Sequence, residues 1–111
     1  MIEPVSSAEL HAVGKGEFSL SGELTFATVP NLWRKGGRLF TDTNKMIILD
    51  LGEVIHSDSA GLALMMEWLR QSESQNIIIQ FQNIPKQMLS LARTSGIDFL
   101  LEAPEQRERK R

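Results

Sequence analysis

Cysteine is absent from this chain of 111 residues. Its absence excludes disulfides, zinc sites built on thiolates and cysteine nucleophiles, and it fits a reducing compartment. No apolar run approaches the roughly 20 residues that a membrane span needs. The opening MIEPVSSAEL has an early acid, no basic start and no apolar stretch behind it, so it does not read as a signal peptide. Positive charge is not in excess. Lys and Arg number 12 against 14 Asp and Glu, a net charge of −2, which removes the case for a nucleic-acid partner held by broad electrostatic attraction. Phosphate loops of the form G-x-x-x-x-G-K-[ST] or G-x-G-x-x-G are missing, as is the G-x-S-x-G elbow of serine hydrolases. The two histidines, His11 and His56, are far apart in sequence, and no acid–histidine cluster with ligand spacing accompanies them. No metal or cofactor is expected.

What is present is an ordinary globular composition, 41% hydrophobic and 23% charged, at a length that suits one core and one domain. Residues 1–8 read as a loose lead-in. Glu9–Val13 and Glu17–Ser21 alternate apolar and polar positions around a Gly-Lys-Gly loop, the pattern of a β-hairpin. Thr28 as a cap and Pro30 near the first helical position start a helix, along which Val29, Leu32, Trp33, Gly36, Leu39 and Phe40 keep helical spacing. Gly36 and Gly37 weaken it by roughly 1 kcal/mol each relative to alanine, so it is expected to fray or end early. Lys45–Leu51 is a continuous apolar run, expected as a central strand buried on both faces and ending near Leu51. Ser59–Ser74 reads as a second helix, Asn76–Gln82 as a strand and Pro85–Gly96 as a third helix. The stretch DFLLEA has room for a short last strand. The tail from Pro104 to Arg111 is polar and charged and is expected to be disordered. The predicted order is β-β-α-β-α-β-α-(β), an α/β domain over residues 9–103 with a small mixed sheet and helices packed on it.

The stretch VIHSDSAGLAL, Val54–Leu64, crowds small polar groups between the buried strand and the second helix. Binding surfaces of α/β sheets collect where strands end and helices begin. The simplest reading is capping: Asp58 or Ser57 accepts from the first unpaired N–H groups, with Ser59 at the helix start. A second reading makes Ser59 a switch, because a phosphate there would be electrostatically favoured beside the helix terminus. A third makes its hydroxyl a polar contact at an interface. Catalysis by His56, Asp58 and Ser59 fails on geometry, because neighbours one to three residues apart on a turn do not converge as a triad must. No catalytic residue is expected.

The buried strand MIILDL, a short loop and then DSAGLALM opening a helix resemble the signature of STAS domains, which include bacterial anti-sigma-factor antagonists. The element order agrees, and the resemblance covers Glu9 to Leu101. A second stretch, SLSGELTFATVPNLWRKG (Ser19–Gly36), is similar to the start of MlaB-like STAS subunits of the phospholipid ABC transporter that maintains outer-membrane lipid asymmetry, with Trp33 on the helix after Gly-Glu-Leu. The resemblance implies a non-enzymatic partner-binding module, located in the cytoplasm and peripheral on the inner membrane through the transporter. Its partner would be the transporter's ATPase subunit or, in the antagonist alternative, an anti-sigma-factor kinase. In antagonists the serine matching Ser59 is phosphorylated. In MlaB-like proteins the matching position, often threonine, lies at the ATPase contact. Ser59 keeps the hydroxyl, and Ala60 departs from the serine or glycine often found next.

The second helix offers an independent reading of the surface. Leu62, Met65, Met66 and Leu69 form one stripe at about 100° per residue. Leu64 falls in the polar arc beyond it and Trp68 near its edge. If only that stripe meets the sheet, Leu64 and Trp68 are partly exposed; if a twisted sheet covers a wider arc, Trp68 is core. Trp33 poses the same choice. The functional reading places Trp33, Asp58, Ser59, Ala60, Gly61, Leu64 and Trp68 in one partner-facing patch. The basic RERKR ending is either a solvated tail or a contact to anionic lipid.

Overall fold

Two alternating strands open the fold. In the computed structural model, which describes residues 7–40 and 45–109, β1 (Ala8–Gly14) and β2 (Glu17–Leu24) pair antiparallel, with Leu10 opposite Leu20 and Ala12 opposite Phe18. β1 takes in Ala8, and Ser7 already accepts a hydrogen bond from the Glu23 N–H at 2.8 Å. The described end of the expected lead-in is therefore part of the sheet.

A tight turn leads into α1 (Val29–Lys35). Thr28 holds the expected N-cap position, but its side chain makes no capping hydrogen bond to the helix. Its hydroxyl donates to the Glu23 carbonyl at 2.6 Å and accepts from the Thr25 N–H at 3.0 Å, so it braces the turn instead. Ahead of the two glycines α1 ends at Lys35, and Gly36–Phe40 continues as a 3-10 turn.

β3 (Met46–Ser57) is the longest strand, and it corrects the expectation that the strand ends near Leu51. It pairs in parallel with β2 from Glu17↔Ile48 to Leu24↔Ser57, with two register shifts on the way. Those irregularities, and the exposure of Glu53, Ile55 and His56, remove the alternation by which the second half would be recognised. β4 (Ile78–Gln82) pairs in parallel with β3 on its other side, giving the sheet order β1-β2-β3-β4.

The sheet buries one face. Leu10, Phe18, Leu20, Ile47, Leu49, Leu51, Ile79 and Phe81 join Leu32, Met65, Trp68, Leu69 and Met88 from the helices in one core. Each fully buried Leu or Ile contributes about 1.5–3 kcal/mol relative to exposure. β3 is central but is not buried on both faces. Met46 is 45% exposed and Ile48 and Asp50 are half-buried, because the helices cover only the other side.

α2 (Ser59–Ser74) and α3 (Lys86–Thr94) follow the expected order. The optional last strand does not form: Asp98–Leu101 is a 3-10 turn after the reversal at Gly96, where φ is +74°. Its most deeply buried residue is Leu101, and burial there does not alternate. The tail expected to be disordered begins as a short helix, α4 (Pro104–Arg109), and Arg107 is only 6% exposed. A guanidinium with hydrogen-bond partners in the protein is what a purely compositional reading of this tail misses. The observed order β-β-α-β-α-β-α, followed by the 3-10 turn and α4 in place of the optional strand, with a mixed four-stranded sheet is the predicted α/β architecture.

Candidate functional site

β3 delivers the chain directly onto the N-terminus of α2. Its last residue, Ser57, is buried, and its N–H donates to Gln87 Oε1 of α3 at 3.2 Å. Asp58 follows in extended backbone, and its Oδ1 accepts from the Ala60 N–H at 2.8 Å. Asp58, not Ser57, is thus the cap, and its carboxylate satisfies one of the four donors that a helix start leaves open. Ser59 is the first helical residue and is exposed.

Gly61 explains how the helix start sits so low on the sheet. A β-carbon there would lie 2.8 Å from Leu24 Cβ and well inside contact distance of Ser57 Oγ. Only a residue without a side chain permits that approach.

The exposed face of α2 runs from Ser59 to Ala63 one turn later, then to the half-buried Glu67. Ala63, Leu64 and Glu67 form one wall of a largely apolar groove of about 400 Å³, and Val29, Pro30 and Trp33 of α1 form the other. Trp33 is 46% exposed. On the other side of Ser59 a wider hollow of about 600 Å³ separates the start of α2 from α3, between His56, Asp58 and Ser59 and facing Lys86, Gln87 and Ser90. Below the groove Arg70 donates to Glu67 through two nitrogens. This hydrogen bond holds the Glu67 carboxyl below its usual range and the Arg70 guanidinium above its own.

The structure divides the predicted patch. Trp33 and Ser59 are exposed and Asp58 is half-buried. Ala60, Gly61, Leu64 and Trp68 are buried, with Leu64 at 2% and Trp68 at 0% exposure. Of the two alternatives for Trp68, the core reading holds, and the expected partial exposure of Leu64 is corrected. α2 is covered by the sheet, by α3 and by α1 with its 3-10 extension, so its apolar arc is wider than one stripe. Met66, within the predicted stripe, is only half-buried.

Residues absent from the predicted patch complete the surface. Val29, Pro30 and Ala63 line the groove. The position of Ala63, four residues after Ser59, was the available signal. Phe26 and Ile55, 75% and 78% exposed, flank the same end of the sheet. Phe26 sits at the tip of the turn braced by Thr25 and Thr28, a geometry that hydrophobic periodicity does not encode.

Chemically, the arrangement offers a hydroxyl beside an apolar groove. The Asp58 carboxylate is engaged in capping, and among the described residues no group of three His, Cys, Asp or Glu side chains is arranged to hold a metal ion. A family profile described as "Mlab, STAS domain" matches residues 10–102. This chain belongs to the MlaB STAS-domain family. It is 32% identical over 81 residues to the intermembrane phospholipid transport system binding protein MlaB of Haemophilus influenzae, covering 70% of this chain and 77% of that protein. Its fold resembles that of the anti-sigma factor antagonist SpoIIAA in its unphosphorylated form, with a TM-score of 0.64, 20% identity and 82% coverage of each chain. Among the described residues no helix is long and apolar enough to cross a membrane.

Proposed function

We propose that this chain is the STAS subunit of a phospholipid ABC transporter that maintains outer-membrane lipid asymmetry. It binds the transporter's ATPase at the cytoplasmic side of the inner membrane and supports assembly or activity of the complex. No reaction is assigned to the chain itself; nucleotide chemistry belongs to the partner.

One observation carries the reading. In a chain 32% identical to an MlaB protein, an exposed Ser59 opens α2 one turn from an apolar groove walled by a half-exposed Trp33. Ser59 and Ala63 are small, so a partner backbone can approach α2 closely. Trp33 supplies a large anchor of the type that dominates protein interfaces. The cap at Asp58 and the tight seat at Gly61 hold this surface rigid before binding, which lowers the ordering cost.

A second reading rests on the same exposed hydroxyl. An anti-sigma-factor antagonist would be switched by phosphorylation of Ser59, and its partner would be a kinase. Affinity capture of the tagged chain from its native cells in gentle detergent separates the two, with mass spectrometry of partners and of the Ser59 peptide. The expected result is an ABC ATPase with its permease and unmodified Ser59. A serine kinase with phosphate on Ser59 overturns the transporter reading.

A further inference from the structure

The two edges of the sheet are protected in different ways. β1 carries Glu9 and His11, paired at 2.9 Å and exposed, the charged kind of edge that resists pairing with another chain. β4 carries no charge. From Asn76 to Pro85 the sequence NIIIQFQNIP has no ionisable residue, and its strand IIQFQ is rich in residues that favour β structure.

The backbone of β4 shows what is at stake. The Ile78 N–H donates to the Lys45 carbonyl at the β3 side. Alternation along the strand then turns the N–H and C=O groups of Ile78, Gln80 and Gln82 toward β3, and those of Ile79 and Phe81 outward. Arg107 of α4 occupies part of that outward edge. Its guanidinium donates to the Ile79 carbonyl and to the Glu102 carbonyl, the latter at 3.1 Å. A charged side chain that is only 6% exposed is thus spent on an edge strand.

The strand is also complementary to itself. A second β4 turned antiparallel about Gln80 sets Ile79 opposite Phe81 on both sides of the axis. These are the residues whose backbone groups point outward, so each pair exchanges two hydrogen bonds. Their side chains continue the buried face, while Gln80 meets Gln80 and Ile78 meets Gln82 on the open face. We propose that α4 guards the outer edge of β4 through Arg107, and that with Arg107 withdrawn this edge pairs antiparallel with β4 of a second copy of the chain. The proposal is independent of the transporter reading, because α4 and β4 contribute nothing to the Trp33–Ser59 surface.

The test uses the full chain and light scattering after size exclusion, with melting curves to confirm folding. Arg107→Met keeps most of the buried volume and removes the donors; Arg107→Ala serves if methionine does not fold. The native chain is expected to run as a monomer, and the Arg107 variant to self-associate roughly tenfold more strongly, appearing as a dimer at the same concentration. Adding Gln80→Lys places two like charges opposite each other on the axis and is expected to restore the monomer. A folded Arg107 variant that stays monomeric overturns the proposal. A dimer that Gln80→Lys leaves intact also overturns it, because the contact then lies elsewhere. A native chain already dimeric and dissociated by Gln80→Lys overturns the guarding role of Arg107.

Discussion

The indole of Trp68 lies directly on the backbone of Gly36. A β-carbon on Gly36 would stand 2.7 Å from Cε2 and 2.8 Å from Cζ2 of that ring. The contact locks the end of α1 against the middle of α2. Trp68 is fully buried there, whereas Trp33 on α1 is 46% exposed, so one tryptophan is core and the other is open to solvent.

Gly36→Ala sets two effects against each other. Gly36 has helical backbone angles, so alanine gains about 1 kcal/mol of intrinsic propensity. The new methyl meets a buried ring that cannot shift cheaply, and overpacking of that kind costs about 1–3 kcal/mol. A net loss of stability is expected in urea unfolding. An alanine variant more stable than the native chain would show that Trp68 is not packed as described.

Asp58→Ala removes the cap of α2. The expected loss is about 1 kcal/mol, with Asp58→Asn retaining most of the native stability because its side-chain oxygen still accepts from the Ala60 N–H. The midpoints of the three denaturation curves check this order. Equal loss for alanine and asparagine would mean that charge, not the hydrogen bond, is what matters.

Acid weakens the Glu67–Arg70 pair in a defined direction. The carboxyl of Glu67 is lowered in the folded chain by the Arg70 hydrogen bond. Its small stabilising contribution is therefore fully present above the ordinary carboxylate range and is lost as pH falls through the lowered value. In a carbon-detected NMR titration, Glu67 is expected to protonate at lower pH in the native chain than in Arg70→Ala. Coincident titrations would contradict the pairing. Both groups are solvent-screened, so global stability is expected to change little.

The two tryptophans separate folding from binding. Trp68→Ala is expected to lose about 3–5 kcal/mol, a typical cost of truncating a fully buried aromatic residue. Trp33→Ala, at a position 46% exposed, is expected to melt close to the native chain. Thermal unfolding of both variants decides it, and comparable losses would place Trp33 in the core.

The sequence made much of this legible. The strand and helix order followed from alternation, helical spacing and the prolines and glycines at element ends. The capped start of α2 at Ser59 followed from Asp58 or Ser57 as the cap, and the structure selects Asp58. What escaped it shares one cause. The second half of β3, the burial of Leu64, the choice between core and surface for Trp68 and the seat of Arg107 are set by neighbours distant in sequence: β2, α1 with Gly36, and the β4 edge. Local periodicity describes one face of one element. It does not reveal that α2 is covered by α1 and α3 as well as by the sheet, or that a polar tail supplies a donor to a strand. Within the predicted site, Gly61 carried a signal of close approach that belongs to packing rather than to a surface.

The most direct test of the central claim is the affinity of the purified transporter ATPase for the native chain, Trp33→Ala and Ser59→Asp, measured by calorimetry with folding of each verified. The account predicts tight binding by the native chain, a loss of roughly tenfold or more for Trp33→Ala and a comparable loss when a negative charge replaces the Ser59 hydroxyl. Equal affinity for all three folded chains would contradict it and would place the partner on a different face of the molecule.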